Sequence, residues 1–87
     1  MTEQREIRLF GALGRFGQQQ KLLLDVGPDA TVANLRQALA ARLAGAEGFD
    51  PRLLDESVFA DEHDILAENA RPDPRANLAV LPPVCGG

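Results

Sequence analysis

The sequence contains no tryptophan and no tyrosine, and it holds one cysteine, Cys85, and one histidine, His63. A single thiol cannot close an internal disulfide, so no disulfide framework supports this chain and a reducing, cytoplasmic setting is the default. A zinc site built from Cys and His needs about four such ligands, and the chain has too few, so no metal centre is expected. Any Ser–His–Asp or Cys–His device would have to run through His63, which lies between Glu62 and Asp64 and reads as a solvated surface residue. Long apolar runs are missing too: none approaches the roughly 20 residues needed to cross a bilayer. The opening Met1-Thr2-Glu3-Gln4-Arg5-Glu6 is charged and lacks a signal-peptide core. Basic charge is scarce. Nine Lys and Arg stand against 13 Asp and Glu, a net charge of -4, which argues against the clustered cations that nucleic acid requires.

What is present fits one small domain. The chain has 87 residues, 45% of them hydrophobic and 25% charged, with eight Gly and six Pro. That is enough for a single modest core. Charge is unevenly spread. Arg5, Arg8, Arg15, Lys21, Arg36 and Arg42 make the first half mildly basic, whereas the stretch from Glu47 to Asp73 is strongly acidic. An acidic stretch of this kind is a solvated face that can also steer a basic partner.

Hydrophobic patterning sets out the elements. Glu6-Ile7-Arg8-Leu9-Phe10 alternates as a strand, and Lys21 to Val26 alternates again, with Leu22, Leu24 and Val26 on one face. Between them lies the Gly-rich Gly11-Ala12-Leu13-Gly14-Arg15-Phe16-Gly17, so the two strands form an antiparallel hairpin with a long connection. Gly27-Pro28-Asp29-Ala30 breaks the second strand and Thr31 is a good N-cap. The run Val32 to Leu43 is the clearest helix, with Val32, Leu35, Leu39 and Leu43 in one stripe and Gly45 or Gly48 to end it. Asp50 to Asp55 predicts a short helical turn with Pro51 first. Ser57 to Ala60, Ile65-Leu66 and Leu78 to Leu81 predict short strands, the last stopped by Pro82-Pro83, which cannot extend a ladder. Val84 to Gly87 shows no periodicity.

Strand, strand, helix, strand, strand in so short a chain implies an α+β fold: a mixed sheet of four to five strands with one main helix across one face. The helix-bearing crossover is long enough to let the first and last strands lie parallel at the centre. That is the β-grasp, ubiquitin-like arrangement, with residues 1–81 as its single domain and 82–87 as an extended tail.

The tail Leu81-Pro82-Pro83-Val84-Cys85-Gly86-Gly87, together with Ile7-Arg8-Leu9-Phe10-Gly11-Ala12-Leu13 and Ala30-Thr31-Val32-Ala33-Asn34-Leu35, resembles the ubiquitin-like sulfur carriers of the MoaD/ThiS type. It looks most like the small subunit of molybdopterin synthase (MoaD). Asp73-Pro74-Arg75-Ala76-Asn77 departs from the Gly-Asp-Glu-like turn usual there. The resemblance implies a non-catalytic protein co-substrate. Its Gly87 carboxylate would be adenylated with ATP by a ubiquitin-activating-type enzyme (MoeB-like), with no cofactor bound to the carrier itself. Sulfur from a cysteine desulfurase or rhodanese would then give a thiocarboxylate, which donates to the dithiolene of molybdopterin in the large subunit (MoaE-like).

The residue types suit such a task. A carboxylate is a poor electrophile and must be activated inside a narrow channel. Glycine, lacking a Cβ, lets enclosing backbone approach Gly86 and Gly87 closely. Pro82 and Pro83 stiffen an extended exit, and Pro82 to Gly87 reaches about 20 Å when extended. Val84 and Cys85 complete the segment that a partner would recognise. Cys85 admits two readings, a thiol able to form mixed disulfides or simply a small residue.

Sheet parity adds a docking surface. With Ile7, Leu9, Leu22, Leu24, Leu78 and Val80 toward the helix, Phe10, Leu23 and Leu81 face the other way, and Leu13 and Phe16 extend the patch from the Gly-rich loop. Two alternatives remain: a carrier for thiazole, cysteine or tRNA thiolation, or a β-grasp interaction module whose Gly-Gly serves conjugation or nothing.

Overall fold

The computed structural model describes residues 3–17, 19–73 and 75–83. Strand β1 (Glu3–Leu9) is followed by a 3-10 helix (Gly11–Phe16), β2 (Lys21–Val26), α1 (Val32–Leu43), α2 (Pro51–Asp55), β3 (Val58–Ala60), β4 (Ile65–Leu66) and β5 (Leu78–Leu81). The five strands form one mixed sheet in the order β2-β1-β5-β3-β4. β1 pairs antiparallel with β2 and parallel with β5, while β3 lies antiparallel to both β4 and β5. This is the arrangement expected from the pattern, with the first and last strands side by side at the centre.

Alternation explains the sheet's two faces. Ile7 and Leu9 of β1, Leu22, Leu24 and Val26 of β2, Phe59 of β3 and Leu78 and Val80 of β5 are buried together under Val32, Leu35, Leu39 and Leu43 of α1. The helix begins at a capping box: Thr31 Oγ1 accepts the Asn34 N–H at 3.2 Å, and Asn34 Oδ1 accepts the Thr31 N–H at 3.0 Å. It ends at Ala44, followed by Gly45 at φ +88°, a left-handed conformation that glycine adopts without penalty. Asp50 caps α2 from one side, its carboxylate accepting the Arg52 N–H at 2.9 Å with Pro51 at the first turn. No helix among the described residues is long and apolar enough to cross a membrane.

Two expectations change. β1 starts at Glu3, earlier than its apolar alternation suggests, because Glu3, Gln4 and Arg5 stay in antiparallel register with Val26, Asp25 and Leu24 without an apolar pattern of their own. The Gly-rich connection is a 3-10 helix, and its three-residue period sets Leu13 and Phe16 on one side. That side faces inward. Leu13 is fully buried in the core, so it cannot belong to an exposed docking patch. Phe16 is half-buried, packs against the same core and meets Phe49 edge-on at 5.7 Å, so it also leaves the proposed patch.

One polar side chain joins the helix to the far corner. Arg36 of α1 donates from Nη1 to the carbonyls of Leu54 (2.6 Å) and Ser57 (2.8 Å), and from Nε to Glu68 Oε1 (2.7 Å). Its guanidinium lies 5.1 Å from the Phe59 ring centroid. Among the described residues no buried side-chain nitrogen or oxygen lacks a partner.

Candidate functional site

The sheet face away from α1 carries the candidate site, and strand register decides who meets whom. Leu9 pairs with Val80, and Phe10 continues the line, its N–H donating to the Val80 carbonyl at 3.2 Å. Phe10 therefore sits beside Leu81, and Leu81 pairs with Val58. In the next row Arg8 pairs with Ala79, Ala79 with Ala60 and Ala60 with Ile65. Phe10 (41% exposed), Leu81, Val58 (37%), Ala79 and Ile65 (67%) thus make one apolar surface on the open face, with the buried Ala60 beneath it. Exposed large apolar side chains gathered this way are characteristic of contact surfaces.

Leu23 is exposed on the same face but is not part of it. It pairs with Glu6, and the Lys21–Arg8 row stands between it and Phe10. Val58 and Ile65, conversely, belong to the patch and were not anticipated. Their strands are three and two residues long, too short for alternation to announce a face.

The patch ends at the root of the tail. Pro82 follows Leu81 directly, and Pro82 and Pro83 are half-buried. Gly11, the first residue after Phe10, has φ +58°, and a Cβ there would lie 2.8 Å from Pro82 Cγ. A side chain at Gly11 would meet the proline ring, so this glycine is the seat on which the chain leaves β5. Val84, Cys85, Gly86 and Gly87, the segment expected to carry recognition and chemistry, lie outside the described residues.

The acidic connection between β3 and β4 is built by one carboxylate. Asp61 Oδ1 accepts the N–H groups of His63 and Asp64, each at 2.8 Å. These bonds, that from Asp64 first and that from His63 next, hold its carboxyl below the ordinary carboxylate range. His63 is exposed, as expected. Among the described residues no group of three or more His, Cys, Asp or Glu is placed to hold a metal ion.

No protein-family model matches the chain, and no curated protein does. Solved structures do match. The crystal structure of SAMP1 from Haloferax volcanii is similar with a TM-score of 0.71 and 27% identity, over 98% of this chain and 100% of that one. A crystal structure of H. volcanii small archaeal modifier protein 1 gives 0.65 and 28%, over 91% and 95%. Caldiarchaeum subterraneum ubiquitin shares the fold with a TM-score of 0.57 and 19% identity, over 98% and 100% of the two chains. The chain therefore has the ubiquitin-like β-grasp fold, in the form seen in small modifier proteins.

Proposed function

We propose that this protein is a ubiquitin-like carrier whose working group is the main-chain carboxylate of Gly87. A ubiquitin-activating-type adenylating enzyme joins that carboxylate to the AMP of ATP and releases pyrophosphate. A sulfur nucleophile then attacks the acyl carbon, AMP leaves, and a thiocarboxylate remains. Delivered to the large subunit of molybdopterin synthase, the thiocarboxylate supplies sulfur for the dithiolene. The carrier contributes no catalytic side chain. It contributes a face to hold and a tail to insert.

The observation that carries this reading is the meeting of the Phe10–Leu81–Val58 patch with Pro82-Pro83, which lead directly into Val84-Cys85-Gly86-Gly87. A partner grips the patch while the tail runs on into its pocket. The likeness to small archaeal modifier protein 1 favours a second use of the same activated carboxylate. A lysine amine of a target protein would displace AMP and leave an isopeptide.

Intact-mass spectrometry separates these outcomes. Incubation with ATP, the adenylating enzyme and inorganic sulfide should first add AMP and then exchange oxygen for sulfur at Gly87, followed by sulfur transfer to the large subunit. Adenylation that ends in lysine-linked products, with no sulfur gain, assigns the modifier role instead. An unchanged mass refutes both. Replacing Phe10 and Leu81 with Ser should weaken large-subunit binding at least about tenfold, given roughly 1.5–3 kcal/mol for fully burying one such side chain.

A further inference from the structure

The patch at the tail root leaves Leu23 unused. It is 54% exposed on β2, a strand with a neighbour on one side only. Antiparallel partners alternate between hydrogen-bonded and non-hydrogen-bonded pairs. The Leu9 N–H donates to the Gln20 carbonyl at 2.8 Å, and this fixes the phase of the β1–β2 ladder. Ile7–Leu22 and Arg5–Leu24 are then hydrogen-bonded pairs, while Arg8–Lys21, Glu6–Leu23 and Gln4–Asp25 are not. The N–H and C=O groups of Lys21, Leu23 and Asp25 consequently point away from β1, toward solvent. Their side chains stand on the open face, where all three are exposed.

We infer that this edge pairs with the same edge of a second copy of the chain. Charge sets the register. Antiparallel pairing about Leu23 places Lys21 opposite Asp25 of the second copy, Leu23 opposite Leu23, and Asp25 opposite Lys21. All three are positions with outward donors and acceptors, so each pair exchanges two backbone hydrogen bonds. Sliding by two residues keeps that phase but sets Leu23 against Lys21 or Asp25 and forfeits the charge pairs. Edge strands commonly carry charges that repel a neighbour. Here the charges are opposite in sign and symmetric about Leu23, so they attract one. The contact between Lys21 and Glu6, at 3.4 Å, is solvent-exposed and weakly held, which leaves the ammonium free to turn to the new partner.

The helix flank beside the edge allows the approach. Leu23, Leu24 and Asp25 share a shallow groove with Ala38, Ala41 and Arg42 of α1. A two-fold axis through the Leu23 pair sets both α1 helices on one face of a continuous sheet, with alanines at the flank that meets the second copy. Phe10, Leu81 and the tail stay uncovered, so this pairing stands or falls independently of carrier chemistry.

Sedimentation equilibrium of the full chain at low ionic strength tests it. The average mass should rise from one chain toward two between about 10 μM and 1 mM, the range suited to a small edge interface. Over the same series the amides of Lys21, Leu23 and Asp25 should pass from fast to slow hydrogen exchange, while those of Leu22 and Leu24 stay slow throughout. Asp25→Lys sets like charges in register and should weaken pairing roughly tenfold. Mixing Asp25→Lys with Lys21→Glu sets unlike charges in register and should yield a heterodimer from two monomeric variants. A monomer at the top of the series overturns the inference. So does a dimer whose Lys21, Leu23 and Asp25 amides stay exposed, or one that Asp25→Lys leaves intact.

Discussion

Replacing Arg36 with Met should unfold this protein more readily than any substitution on the exposed flank of α1. The side chain is 16% exposed, and its guanidinium serves two carbonyls of the α2–β3 corner. Met keeps the aliphatic stem and removes the charge-assisted donors. Hydrogen bonds to a charged group contribute about 1.5–3 kcal/mol each. The Leu54 carbonyl keeps the Ser57 N–H at 3.1 Å, which limits the loss there. Glu68 is 57% exposed, so its ion pair adds at most about 1 kcal/mol. The contact with Phe59 adds about 0.5–1 kcal/mol. After the apolar burial that Met restores, a net loss of about 3 kcal/mol is expected. A domain of this size has about 4–13 kcal/mol in all. At roughly 4–8 °C per kcal/mol, Tm should fall by about 12–24 °C. Without Trp or Tyr the assay is far-UV circular dichroism in urea and on heating. Arg36→Lys, whose single ammonium cannot span both carbonyls, should lose about half as much. Arg42→Met, on an exposed residue of the same helix, should stay within about 0.5 kcal/mol. A loss at Arg36→Met below about 1 kcal/mol, or no larger than at Arg42→Met, would refute the reasoning.

Gly11→Ala should cost about 1 kcal/mol for its left-handed backbone and displace Pro82, seen as carbon shifts of that ring in NMR spectra. Gln19, at φ +54°, lies in the same conformation without glycine's freedom, so Gln19→Gly should raise the urea midpoint by about 0.5 kcal/mol equivalent. The Asp61 carboxyl should titrate below the ordinary aspartate value of 3.8 when followed by carboxyl-carbon NMR. Because its folded pKa is depressed, its contribution to stability is present above the unfolded value and is lost as pH falls through the folded one. Asp61→Asn should flatten that acid limb while leaving neutral-pH behaviour of the remaining carboxylates unchanged.

Much of this architecture was legible because most of it rests on one-dimensional pattern. The stripe Val32, Leu35, Leu39, Leu43 predicts α1 between the residues the structure gives, and alternation in β1, β2 and β5 predicts which faces close. The patch was legible in part. Phe10 and Leu81 follow from parity, but their neighbour Val58 depends on a β3–β5 register that no local pattern encodes. Leu13 misled because a glycine-rich segment looks like an open loop, whereas 3-10 winding turns that leucine into the core. Arg36 left no trace at all. A helical arginine in a polar position reads as solvated, and its burial arises from carbonyls contributed by a different element.

The β1–β5 pairing also bears on timing. Phe10 and Leu81 lie far apart in sequence, so they meet only when the longest-range pairing of the sheet has closed its loop. During synthesis, the patch cannot form until β5 has emerged. A chain interrupted before β5, or one in which β5 has not docked on β1, presents no such patch.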